Sequence, residues 1–196
     1  MFMLAVAEDV IEIPPRYFNL PLKQAALLTL AEKYNGTVDP EHRVVVITVV
    51  DIKSIEEYGR LVPGEPGTWH RVVFELLLFR PEQNEVVEGT IVGVEDHGIF
   101  VNLGPLDGYV HISQVSPVGR AEANPSQGTV VVEIGGERIV MKRGDDVRAR
   151  VQAVSFRTLT RFGMPRVSLT MRGGEFLGKL EWIEKKVEQL AKAAKG

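Results

Sequence analysis

From Val86 onward, short apolar segments are separated by glycines at regular spacing, and this pattern restricts the second half of the chain to few folds. Many short strands punctuated by glycines are typical of small β-barrels and sandwiches. Arg80-Pro81 ends the longer segments that precede this region. We therefore predict two domains, residues 1–80 and 81–174, followed by a C-terminal amphipathic helix at 175–196.

The first eighty residues have the pattern of an α+β unit. Its apolar and β-branched runs predict strands, and a run of good helix formers predicts one helix. We expect Asn19 to cap this helix, because its side chain is a common N-cap acceptor. The predicted elements are a strand at Met1–Ile13, a helix at Leu22–Tyr34, strands at Arg43–Ile55 and Thr68–Phe79, and a joining loop at Glu56–Gly67.

The composition excludes several classes of protein. The chain has 196 residues, of which 44% are hydrophobic and 25% charged, so a globular fold is expected. It has no cysteine, which excludes disulfides and thiolate metal sites. No apolar stretch approaches the ~18 residues of a membrane span. We predict a cytoplasmic protein that has no membrane association.

Residues suited to catalysis or to metal binding are not grouped in the sequence. A phosphate-binding glycine loop is absent, and the acidic pairs lie beside turns, where carboxylates are usually solvated. His97 and His111 have no third ligand at metal-binding spacing. We therefore expect no catalytic site, no metal and no cofactor.

The charge distribution is more informative than the formal net charge of −3. Residues 81–137 contain one basic and nine acidic residues, whereas residues 138–172 contain nine basic and two acidic residues. A basic segment of this kind is either a solvated strand pair or a surface for a polyanion. Its cations include Lys142, Arg148, Arg150, Arg157, Arg161 and Arg166.

Phe100 lies in a segment whose alternation predicts an outward aromatic ring. Ile99, Val101 and Leu103 share one face of the predicted strand and can fill a barrel, which leaves Phe100 on the other face. An exposed ring can stack on any base, while nearby cations hold the phosphates. The same region predicts a hairpin with strands at 129–134 and 137–141 around Gly135-Gly136.

The second domain resembles the RNA-binding domain named after ribosomal protein S-one, a five-stranded OB-type barrel. The resemblance implies RNA contacts at Phe100, His97, His111 and Arg166, with Ser155 in place of an expected acid. We add Arg148, Arg150 and Lys142 as candidate phosphate contacts. The motifs that carry the resemblance are Gly89, Gly98-x-Phe100-Val101, Gly108-x-Val110-His111-Ile112-Ser113, Gly144-Asp145-x-Val147 and Val167-Ser168-Leu169-Thr170.

Over nearly its whole length the chain resembles the larger of the two stalk proteins of archaeal RNA polymerase, designated E or E-prime. This resemblance implies a truncated RNP-like first domain whose tip docks on the polymerase core. It also implies that a smaller stalk partner, designated F, binds at the domain junction. The same resemblance implies binding of emerging single-stranded RNA. The tip is expected at Gly59, Pro63, Gly64 and Gly67. The motifs are Glu8-Asp9-Val10, Ile13-Pro14-Pro15, Val62-Pro63-Gly64, Phe79-Arg80-Pro81, Gly104-Pro105-Leu106-Asp107-Gly108 and Leu177-Gly178-Lys179-Leu180-Glu181-Trp182-Ile183.

Two other functions use the same barrel. One is a translation initiation or RNA-processing factor, and the other is an assembly protein whose barrel is only a scaffold. The order of the domains, with an α+β unit before the barrel and one helix after it, favours the polymerase stalk over the translation factor.

Overall fold

The computed structural model describes residues 1–116, 121–134, 137–160, 163–173 and 176–193. The chain divides into two compact units, Met1–Arg80 and Pro81–Gly196.

The first unit is an antiparallel sheet with one helix. The strand order is β1-β5-β3-β2, and the short β4 pairs with the beginning of β5. β5 therefore lies between the first strand of the unit and β3, and it pairs with β1 along its full length. The elements are β1 (Phe2–Ile13), α1 (Leu22–Tyr34), β2 (Val38–Asp39), β3 (Val44–Ile55), β4 (Arg60–Leu61) and β5 (Thr68–Phe79).

One face of this sheet and α1 enclose the core of the first unit. Ala25, Ala26 and Leu30 of α1 are buried in the same cluster as Val72 and Phe74 of β5. The small alanines let the helix approach the sheet closely, and Phe74 is fully buried. The predicted strands and helix of this unit are confirmed to within one residue at each end.

Asn19 does not cap α1, so this expectation is wrong. The N-cap is Pro21, and among the described residues no side chain caps the helix. Instead, the Pro21 carbonyl accepts hydrogen bonds from the backbone N–H groups of Gln24 and Ala25, at 2.9 and 3.0 Å. The two-residue strands β2 and β4 were not predicted, because a segment this short has no measurable periodicity.

The second unit is mostly strand. Its elements are β6 (Val86–Glu95), β7 (Gly98–Asn102), β8 (Asp107–His111), α2 (Ile112–Val115), β9 (Ala121–Asn124), β10 (Thr129–Ile134), β11 (Glu137–Lys142), β12 (Asp146–Leu159), β13 (Pro165–Thr170), β14 (Gly178–Lys179) and α3 (Leu180–Ala193).

Five strands of this unit are joined in a ring of pairings. β6 pairs with β7, β7 with β8, β8 with β13, β13 with β12, and β12 with β6. The β8–β13 pairing is parallel and the other four are antiparallel. Each of the five strands therefore has a partner on both sides, as in an OB-type barrel.

Gly98 is required where β7 begins. A Cβ atom on this residue would lie 2.3 Å from the carbonyl oxygen of Val110 on β8 and 2.7 Å from the hydroxyl oxygen of Tyr109. Gly93 on β6 differs, because its Cβ would meet Phe100 at an ordinary 3.5 Å. Gly98 thus marks a close backbone approach that excludes a side chain.

The predicted hairpin is present as β10 and β11, and β9 extends it to a three-stranded sheet. The turn predicted at Gly135-Gly136 lies outside the described residues, as does Arg161. Buried Val130, Val132 and Met141 form the inner face of this small sheet. In the described part of the chain, no helix has the length and apolar character needed to cross a membrane.

The C-terminal helix begins at Leu180 and not at residue 175, because Gly178–Lys179 forms strand β14 beside β12. Phe176 therefore precedes the helix. Of the apolar side chains that follow one another at helical spacing, Ile183 is buried, whereas Val187 and Leu190 are about half exposed. Glu181 and Lys185, which lie one turn apart on this helix, form an ion pair at 2.8 Å.

Candidate nucleic-acid interface

Phe100 lies on the outer face of the barrel. Its neighbours Ile99 and Val101 on β7 are buried, with 0% and 1% exposure, whereas Phe100 itself is partly exposed. The alternation predicted for this strand is therefore confirmed. Gly93, its partner on β6, has no side chain to cover the ring.

Tyr109 lies beside Phe100 on the neighbouring strand and was missed by the sequence analysis. The two residues are direct cross-strand partners, and their ring centroids are 5.1 Å apart at an interplanar angle of 53°. Tyr109 alternates with buried Gly108 and Val110, which is the signal that identified Phe100. Burial raises the pKa of the Tyr109 hydroxyl, and the nearby carboxylate of Glu95 adds to this effect.

His97 and His111 are exposed at one end of this aromatic pair. His111 is the cross-strand partner of Gly98, and His97 directly precedes Gly98. The Nδ1 atom of His111 accepts a hydrogen bond from the backbone N–H of Ser113 at 3.2 Å. In this arrangement the neutral ring carries its proton on Nε2, which leaves an N–H donor for a ligand.

Arg166 reaches the same side of the barrel from β13. In the parallel pairing, Ser168 lies opposite Tyr109, and Arg166 is exposed two residues earlier on the same face. Its guanidinium forms no ion pair with any residue that the structure describes. Ser155, which replaces the expected acid, is the partner of Arg166 on β12.

The other predicted cations do not lie beside the aromatic pair. Arg148 and Arg150 point outward from β12, but Arg148 pairs across to Glu88 on β6, with contacts of 2.6 and 2.8 Å to one carboxylate oxygen. Along β6, Glu88 and Gly93 are about 16 Å apart, which is the length of strand between them. The expected grouping of these arginines with Phe100 is therefore not observed.

Arg150 and Lys142 are the next two candidate cations to be located in the fold. Arg150 donates to the backbone carbonyl of Arg172 at 3.4 Å. Lys142 is exposed at the end of β11, in the three-stranded sheet. Among the candidate cations that the structure describes, Arg166 lies on the strand that pairs with the strand of Tyr109.

A second candidate surface is the glycine-rich loop of the first unit. A Cβ on Gly59 would lie 2.5 Å from the buried His70 ring, and one on Gly67 would lie 2.6 Å from the Ile13 carbonyl oxygen. Gly64 has a φ of +92°, which favours glycine. His70 holds the loop through Nδ1, 2.8 Å from the Glu56 carbonyl oxygen. The predicted glycines thus fix the shape of this loop.

Of the side chains that the loop presents, Pro63 is the one that was among the residues expected at the tip. Tyr58 and Leu61 are 88% and 77% exposed, and Val62 and Pro63 are also exposed. We call Tyr58, Leu61, Val62 and Pro63 the tip surface. Exposed apolar groups clustered on a shaped loop are typical of a protein-binding site.

The sheet of the first unit also has an apolar outer face. The alternate residues of β1 that point away from α1 include Phe2, Leu4, Val6 and Val10, which are 44–62% exposed. Monomeric proteins rarely leave such a row uncovered. This face is a second candidate protein-binding surface, which the sequence analysis did not identify.

No cluster of three or more histidine or acidic side chains suited to a metal ion occurs among the residues described. His97 and His111, the histidines considered for such a site, belong instead to the surroundings of the aromatic pair.

Two family models match the chain. The "SHS2 domain found in N terminus of Rpb7p/Rpc25p/MJ0397" matches residues 8–67, and the "S1 RNA binding domain" matches residues 80–157. The fold and these matches define a two-domain protein in which an SHS2 domain precedes an S1 RNA binding domain. The predicted α+β class, with an RNP-like domain followed by an OB-type domain, is confirmed.

Relatives of known identity make the assignment specific. The chain is 39% identical over 183 residues to DNA-directed RNA polymerase subunit Rpo7 of Saccharolobus shibatae, covering 93% of this chain and 97% of the relative. It is 34% identical to Rpo7 of Sulfolobus acidocaldarius over the full length of both, and 29% identical to subunit rpb7 of RNA polymerase II of Schizosaccharomyces pombe over 76% and 85% of the two chains. The chain belongs to the Rpo7 family of DNA-directed RNA polymerase subunits.

Proposed function

We propose that this chain is a non-catalytic stalk protein of a cytoplasmic polymerase, which docks on the core enzyme, pairs with the smaller stalk partner and holds emerging single-stranded RNA. The observation that carries the RNA-binding role is the outward pair of Phe100 and Tyr109, with exposed His111 two residues further along β8 and exposed Arg166 on the neighbouring β13. Aromatic rings stack on bases of any sequence, and a nearby guanidinium attracts phosphate. The surface is therefore suited to RNA without strong sequence preference.

Docking on the core is assigned to the tip surface. Its shape is fixed by Gly59, Gly64 and Gly67, and its exposed side chains are apolar. In most protein interfaces, a few side chains that fill pockets on the partner supply most of the binding energy. The exposed apolar side chains of the tip surface are suited to this role. The apolar outer face of β1 supports a further protein partner, for which the family resemblance suggests the smaller stalk partner.

RNA binding is tested by titrating a labelled single-stranded RNA with the purified chain at about 50 and about 200 mM salt. The affinity should fall steeply at higher salt, because counterions compete with the basic side chains. Phe100→Ala should weaken binding about fivefold or more, through loss of stacking. Phe18→Ala is the matched control, since Phe18 is an exposed aromatic of the first unit. Absence of binding at low salt would favour a scaffold role for the barrel.

A second prediction distinguishes two arginines of the barrel. Arg166→Ala should weaken RNA binding and reduce the salt slope by about one, the value expected for one phosphate contact. Arg148→Ala should change both quantities much less, because Arg148 is already paired with Glu88. The measurement is the slope of log affinity against log salt for each variant. Equal effects of the two substitutions would show that the phosphate path is not the one proposed.

A further inference from the structure

We infer that Asp107 gives the barrel a preference for guanine, by accepting hydrogen bonds from the Watson–Crick edge of an unpaired base that lies on the outer face. This inference rests on the proposed RNA-binding function and adds a specificity-determining residue to its site. One carboxylate gives a modest preference, which is compatible with binding of RNA of varied sequence.

The first support is the position of Asp107 on the outer face of the barrel. The outward residues of β8 are Asp107, Tyr109 and His111. Gly108 and Val110, which alternate with them, are buried. Successive outward residues of a strand are about 7 Å apart, so the edge of a base stacked beside Tyr109 can reach the carboxylate. The surface therefore ends in an anionic acceptor on one side and in an imidazole on the other.

The second support is that the carboxylate is held in place. Asn102 on β7 is the cross-strand partner of Asp107, and its Nδ2 atom donates to Oδ1 of Asp107 at 2.9 Å. The backbone N–H of Gly104 donates to Oδ1 of Asn102 at 3.1 Å, which fixes the orientation of the amide. Because the acceptor is already ordered, little conformational entropy is lost when a base binds to it.

The third support is that the fold leaves much of the carboxylate unused. Asp107 is exposed, and among the residues described its side chain bonds to Asn102 and forms no ion pair. A carboxylate has about four lone-pair sites and no donor. The remaining sites attract the amino and imino groups of bases, whereas the negative charge repels phosphate.

The four bases present different groups to such an acceptor. Guanine carries two adjacent N–H donors on its Watson–Crick edge, which match the two oxygens of a carboxylate. Cytosine and adenine each offer one amino group, and uracil offers one N–H between two carbonyl oxygens. Hydrogen bonds to these edges are a main source of sequence discrimination in unpaired RNA. Asp107 therefore favours guanine most and uracil least.

The test measures the affinity of the full-length chain for short labelled oligouridines that carry uridine, guanosine or inosine at one central position. The guanosine oligomer should bind about 5-fold more tightly than the all-uridine oligomer, through one base contact at an exposed site. Inosine lacks only the 2-amino group of guanosine, so its oligomer should have an intermediate affinity. This comparison uses the unaltered chain and does not depend on the folding of a variant.

Asp107→Asn then assigns the preference to the carboxylate. The substitution keeps the size of the side chain and an oxygen for the bond from Asn102, but it replaces the other acceptor with an NH2 group. The preference for the guanosine oligomer should disappear. Asp146→Asn is the matched control, because Asp146 is an exposed carboxylate on β12 that accepts a hydrogen bond from Thr90 at 2.7 Å. This variant should keep the preference.

Equal affinity of the unaltered chain for the three oligomers, or an unchanged preference in Asp107→Asn, overturns the inference and leaves the proposed function intact. A ribose hydroxyl is the other donor that a carboxylate could contact. A loss of affinity caused by a single 2′-deoxyuridine, without a preference among the bases, would assign Asp107 to the ribose and overturn the inference as well. Failure of the unaltered chain to bind any oligomer overturns both.

Discussion

Gly98→Ala is expected to lower the free energy of unfolding of the second unit by about 3 kcal/mol, because the new methyl group has no space. Its carbon would lie 2.3 Å from the carbonyl oxygen of Val110. That oxygen belongs to the backbone of a paired strand, so relief requires β7 and β8 to separate. Denaturant unfolding in a Trp69→Phe background measures the effect, since Trp182 is then the remaining tryptophan and lies in the second unit.

Gly93→Ala provides the matched control for this change. Both glycines lie in strands of the barrel, but a Cβ on Gly93 meets Phe100 at 3.5 Å, an ordinary van der Waals distance. We expect its unfolding midpoint to stay close to that of the unaltered chain. If both alanine variants were equally stable, the close approach at Gly98 would not determine the stability of the barrel.

Leu61→Glu is expected to weaken association with core polymerase by roughly thirtyfold or more, the effect of losing one hot-spot residue. Leu61 is 77% exposed, so the charge should leave the stability of the first unit unchanged. Competition binding against labelled unaltered chain on purified core enzyme measures this effect. Binding of RNA and of the smaller stalk partner by the same variant should be retained.

Leu28→Glu is the control for charge on an apolar surface residue of the same unit. Leu28 is 39% exposed on α1 and lies outside the tip surface. The Leu28→Glu variant should bind core polymerase as tightly as the unaltered chain does. Normal docking of Leu61→Glu would contradict the assignment of the tip surface to the core enzyme.

Much of the fold follows from the sequence because long segments carry strong periodicity. The strand at Thr68–Phe79 and the helix at Leu22–Tyr34 match their predicted ranges, and the outward position of Phe100 follows from alternation alone. By contrast, the start of the C-terminal helix was misplaced. Phe176 fits the helical spacing, but pairing of Gly178–Lys179 with β12 is a tertiary interaction that a local pattern does not encode.

The candidate site was less predictable than the fold, because it depends on which strands become neighbours. Arg148 and Arg166 are both cations in the basic part of the sequence, and only the family resemblance distinguished Arg166 as an RNA contact. The pairing places Arg148 opposite Glu88 and Arg166 near Tyr109. Tyr109 could have been found from its alternation with Val110, but its contact with Phe100 required the register of β7 and β8.

The central position of β5 has a consequence for synthesis of the protein. β1 leaves the ribosome before the other strands of its unit, whereas the strand it pairs with is the last of that unit, with Phe2 opposite Phe79. The pairing of β1 with β5 therefore cannot form as a local hairpin during chain growth, because it must close a long loop. Until β5 emerges, the apolar residues of β1 have no partner strand and remain open to unwanted contacts.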